Sequence, residues 1–114
     1  MGETGERGSR GAAGRDAGAI ISVEPSAVQP GQTFNLIGAG FGAGEVFVAV
    51  LRGAAEAGAD ISLSGGEANA SGAFEILGFA EQANQVPDTV AAGIYTVRVT
   101  GSQGAIGSAF LRIS

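Results

Sequence analysis

The chain has 114 residues, a length suited to a single core, and 45% of them are hydrophobic, so a packed domain is expected. It has no His, no Cys and no Lys, which removes the usual neutral-pH base, the thiol nucleophile, Schiff-base chemistry and nearly all zinc, iron and copper ligand sets. A net charge of −5, with arginine as the only cation, disfavours contact with phosphate backbones, and no apolar run is long enough to insert in a membrane.

The chain opens on a strict period of three. Gly2, Gly5, Gly8, Gly11 and Gly14 head the triplets GET GER GSR GAA GRD, and Ala17 stands where the next glycine is due. Only glycine fits at the crowded axis of a collagen triple helix, so this spacing predicts a collagen-like, extended arm over 1–18. Five triplets without proline are too few to hold three chains together unaided. The alternative is a flexible glycine-rich tail whose period is accidental; the unbroken register favours the first reading.

From residue 19 the texture changes to strand and turn. Strands are expected at 19–24, stopped by Pro25, at 33–38, at 45–51 (EVFVAVL), at 60–64, at 73–77, at 93–100 (GIYTVRVT) and at 105–114. Pro30 and Gly31 suit a tight reversal. Gly38, Gly40, Gly42 and Gly44 form a glycine-rich corner around Phe41; a strand follows it rather than a helix, so it reads as a structural corner and not a phosphate cradle. The stretches 52–59 and 79–92 have room for brief helical turns. About seven short strands with turn signals between them predict an all-β fold, an immunoglobulin-like β-sandwich over 19–114.

Three stretches carry a family resemblance. SVEPSAVQPGQTFNLIGAGFGAGE, from Ser22, resembles the opening of bacterial and phage immunoglobulin-like modules of the plexin/transcription-factor type. NASGAFEI, from Asn69, is similar to their D-x-x-G-x-F hairpin, with Asn69 in the acidic place. AGIYTVRVTG, from Ala92, resembles their penultimate strand. The resemblance spans nearly everything outside the arm. It implies a spacer or surface module with no catalytic residues, although fold alone does not settle function.

The remaining candidates read as structural. Asp60, Glu67, Glu75, Glu81 and Asp88 lack the dense spacing of a calcium loop, and Asn69-Ala70-Ser71 marks a turn. Tyr95 is expected to bury its ring and bond its hydroxyl to backbone before the strand. Strands apolar on both faces are expected to be covered on both. If Val46, Val48 and Val50 point inward, Phe47, Ala49 and Leu51 point out; if Leu111 and Ile113 are inward, Phe110 faces outward. Phe47, Leu51 and Phe110 then form a subunit contact, or the segment 79–92 folds over them.

These readings converge on a non-enzymatic structural or surface-display protein without catalytic, metal or cofactor sites. It is expected to be a homotrimer at a virion surface, a capsid decoration or head-fibre protein whose arm anchors on a capsid or other surface protein. The start of the chain lacks the apolar stretch of a signal peptide, which favours the virion over the alternative, an exported cell-surface adhesion or carbohydrate-binding module.

Overall fold

The computed structural model describes residues 18–114; the five periodic glycines of the arm lie outside them. The chain is all-β, with two sheets around one hydrophobic core. Strands β1 (Ile20–Glu24), β3 (Asn35–Ala39) and β6 (Phe74–Ile76) form a three-stranded antiparallel sheet in the order β1-β3-β6. The second sheet has five strands: β2 (Ala27–Val28), β4 (Val46–Arg52), β5 (Ile61–Glu67), β7 (Gly93–Gly101) and β8 (Ile106–Ile113), in the order β2-β8-β7-β4-β5. A single turn of helix, α1 (Gly78–Glu81), and a 3-10 turn at Glu56–Gly58 occupy the two stretches expected to hold brief turns.

All seven expected strands form, and β2 is an eighth. The segment after Pro25 reads as a turn because it lies between two prolines, yet Val28 is buried and pairs in parallel with Ile113. The backbone N–H of Arg112 donates to Ser26 O at 2.8 Å, and that of Ser114 donates to Val28 O at 3.1 Å. The reversal that follows is a type II turn. Gln32 N–H donates to Gln29 O at 3.1 Å, with Pro30 and Gly31 at its centre; Gly31 has φ of 89°, a conformation that type II turns require at the position after proline.

Period-two alternation sets the faces of β7. Val97 and Val99 are fully buried, whereas Ile94, Thr96 and Thr100 are exposed on the outer side. β4 is apolar throughout, and there the structure corrects the expectation: Phe47, Ala49 and Leu51 point inward, and Val46 and Val48 point out. Phe47 and Leu51 are therefore core residues, 2% and 0% exposed, and not subunit contacts. The reason is volume. Of two apolar faces, the one carrying Phe and Leu removes more surface from water than the one carrying three valines, and Phe47 finds an aromatic bed. Its ring stacks on Phe74 with centroids 3.9 Å apart, and Phe41 from the glycine corner packs against both, at 6.0 Å from Phe47 and 5.4 Å from Phe74. Phe110 does face outward, at 58% exposure. The segment 79–92 seats Val86 and Val90 in the same core cluster as Phe47 and Leu51 and bonds to Gly31, Gln32 and Phe34.

Candidate interaction face

Two features stand out from a plain two-sheet scaffold: a buried carboxylate at one end, and the outer face of the five-stranded sheet. The carboxylate is Glu45, 1% exposed, at the junction between the glycine corner and β4. Its Oε1 accepts from Gly42 N–H at 2.7 Å, and its Oε2 accepts from Gln103 N–H at 2.7 Å and from Ala105 N–H at 3.5 Å. One side chain thus satisfies backbone donors in two loops, the glycine corner and the β7–β8 turn. Gly101 makes room for it, because a Cβ there would collide with the carboxylate.

The Gly42 bond pulls the Glu45 pKa below its ordinary value, burial pushes against it, and the Gln103 and Ala105 bonds pull with the first. A depressed carboxylate stabilises the fold fully above the pKa it has in the unfolded chain. That contribution is lost as pH falls through the lower folded value. Glu45→Gln places an amide against backbone donors and should unfold more easily at neutral pH. Its urea midpoint should also fall less steeply than that of the parent as pH drops below the ordinary carboxylate range. Midpoints measured from pH 7 down to pH 2 check both; parallel profiles would sever Glu45 from the acid transition.

The outer face of the five-stranded sheet is built by register. Arg52 lies beside Thr96 and Phe110; Val50 beside Arg98 and Ser108; Val48 beside Thr100 and Ile106; Ile94 beside Arg112. Val46, Val48, Ile94, Ile106 and Phe110 are each between 46% and 58% exposed there. Arg52, Arg98 and Arg112, all the cations among the described residues, sit on this same face. Of the eight acidic residues among the described ones, Glu67 alone lies in the strand register of this face, opposite Val46 at its edge; Asp60 stands at its end, 4.0 Å from Arg52. Arg98 occupies the middle of the central strand, half-buried, and its Nε lies out of solvent with no acceptor among the described residues.

The other expected candidates are dispersed. Asp60 accepts from Gly53 N–H at 2.9 Å and Glu81 from Leu77 N–H at 3.1 Å; no group of three or more acidic residues gathers among the described residues. Asn69 Oδ1 accepts from Ser71 N–H at 2.9 Å and Ala73 N–H at 3.0 Å, forming the expected turn. Tyr95 Oη donates to Ala91 O at 2.8 Å, as anticipated, though its ring is only partly buried. That ring borders a wide depression of about 690 Å³ with Ala54, Glu56, Ile61, Pro87 and Thr89, in which Glu56 is the one carboxylate. No helix among the described residues is long and apolar enough to cross a membrane. Of the expected contact trio, the structure leaves only Phe110 on the surface, in register with Thr96 and Arg52 on a sheet face it shares with Ile94, Val46 and Val48.

No family model and no curated sequence matches the chain. Its fold is similar to part of the Pseudomonas fluorescens alkylpurine DNA glycosylase AlkC bound to DNA containing an abasic site analog, with 18% identity and a TM-score of 0.53. That match covers 86% of this chain and 31% of the glycosylase, so the chain spans under a third of that protein's length. It is also similar to the superoxide reductase (neelaredoxin) from Ignicoccus hospitalis, with 8% identity and a TM-score of 0.51, over 83% of this chain and 80% of that one. At such identities the likeness is one of fold.

Proposed function

We propose that the protein is a non-catalytic display and assembly module: an immunoglobulin-like β-sandwich carried on a collagen-like arm, working as a homotrimeric decoration or head-fibre protein at a virion surface. The observation that carries this reading is the outer face of the five-stranded sheet. Five large apolar side chains stand about half exposed there, interleaved with threonines and with the three arginines of the described residues, and exposed apolar side chains gathered on one sheet face mark a binding surface. Composition supports the absence of chemistry, since the chain lacks His, Cys and Lys. The triplet glycines support three-chain assembly, because three backbones meet at a common axis. Nucleic acid is not the partner in this reading, given a net charge of −5 and only six arginines.

Location tests it directly. Gold-labelled antibody raised against the β domain should decorate the shells of particles released by the producing cells. Label restricted to the cell interior, with bare particles, would sink the virion reading.

A further inference from the structure

We propose that the outer face of the five-stranded sheet docks on the outer face of the three-stranded sheet of a second copy, head to tail. This deepens the assembly reading above and rests on it for the tether described below.

The two faces differ in charge and share apolar character. The five-stranded face carries all three arginines of the described residues. The three-stranded face presents Glu24 and Glu75, both exposed, with Ile20 at 72% exposure at the edge and Ile37 half-buried at the centre, in register with Ser22 and Glu75. Arg98 stands in the middle of the five-stranded face with no carboxylate in register beside it among the described residues. A carboxylate from the next copy provides a countercharge to its guanidinium. A two-fold contact of the five-stranded face with itself would instead bring like charges together, which disfavours that pairing.

Size decides how such a contact is populated. Three strands about 4.8 Å apart and about five residues long make a face of roughly 14 by 17 Å, about 240 Å². That is well below the ~800 Å² per partner of a stable complex. The contact is therefore weak between free chains and forms when copies are held at the ~mM effective concentration of a short tether, which a trimeric arm would provide.

Because the chain has no cysteine, introduced thiols report the geometry without background. In the full chain, Thr100→Cys marks one face and Ile37→Cys the other; Ser22→Cys replaces the latter should Ile37→Cys fail to fold. A chain carrying both substitutions should form disulfide ladders on mild oxidation, while each single variant stays uncrosslinked. Adding Arg98→Glu should abolish the ladder, and adding Glu75→Arg as well should restore it. Crosslinking of Thr100→Cys alone would establish a two-fold contact and overturn the proposal, as would the absence of any ladder at high protein concentration. Gly8→Ala reports on the tether separately. Ladders lost at micromolar protein and recovered at millimolar support interface and arm together. Ladders indifferent to Gly8→Ala support the interface and remove the arm. A trimeric mass without ladders keeps the arm and refutes the interface.

Discussion

Phe47→Ala should lower the unfolding free energy by about 3–5 kcal/mol, the cost of removing a buried aromatic ring from a core that collapses only in part. Phe110→Ala should change it by no more than about 0.5 kcal/mol, as expected of a surface residue. The contrast follows from placement alone. The Phe47 ring is 2% exposed, stacked on Phe74 and flanked by Phe41, so its loss leaves the stacked Phe74 and the tilted Phe41 facing a void between the sheets. Phe110 stands 58% exposed on the outer face of β8. Chemical denaturation of the two variants measures the difference. Equal losses, or a Phe47 variant of parental stability and altered mass, would return Phe47 to a subunit contact.

The same pair shows which part of the fold is legible in sequence. Strand positions are, because glycine, proline and asparagine turns bound short runs rich in β-branched and aromatic residues. GIYTVRVT also discloses its faces, since threonine and arginine alternate with valine there. VFVAVLR does not. Both of its faces are apolar, so periodicity carries no sign, and the choice is made by what lies around the Phe47 ring: Phe74 from β6, and the space left by Gly66 on the neighbouring strand. The consequence for the site is direct. Phe110 alone of the expected contact residues is on the surface, and two of the apolar residues that share its sheet face, Val46 and Val48, are the valines that local sequence would place inside. The grouping of the arginines on one face needs the register of β4, β7 and β8, which no local pattern supplies.

Long-range polar closure is the other illegible layer. Glu45 follows the glycine corner immediately, but its donors Gln103 and Ala105 lie 58 and 60 residues away. Asn84 sits inside a segment read as holding no more than a brief helical turn, and only the folded chain brings it to Phe34 and Ser64. In both cases the polar residue is buried because backbone groups of separate loops require a partner at that point, a demand set by the tertiary fold.

For Asn84 the expected loss is comparable with that of a core residue. Asn84→Ala should cost about 2–4 kcal/mol, from one buried and one part-buried side-chain hydrogen bond left open and an alanine held at positive φ. Asn84 is fully buried. Its Nδ2 donates to Phe34 O at 3.2 Å, and its Oδ1 accepts from Ser64 Oγ at 2.6 Å. Its backbone, at φ of 53°, accepts from Phe34 N–H and donates to Leu63 O, both at 3.3 Å. The residue thus clamps the 79–92 segment to β5 and to the residue that precedes β3. Two further variants separate the contributions. Asn84→Gly tolerates the left-handed backbone and removes only the side-chain bonds, so it should be less damaging than Asn84→Ala. Ser64→Ala removes one donor from the exposed edge strand and should cost about 1 kcal/mol, with the Asn84→Gly/Ser64→Ala double variant less than additive because the two share a bond. Denaturation midpoints of the four proteins form the cycle. Strict additivity would mean that the Ser64–Asn84 bond contributes nothing to closure, and that the segment is held by its backbone and by Val86 and Val90 alone.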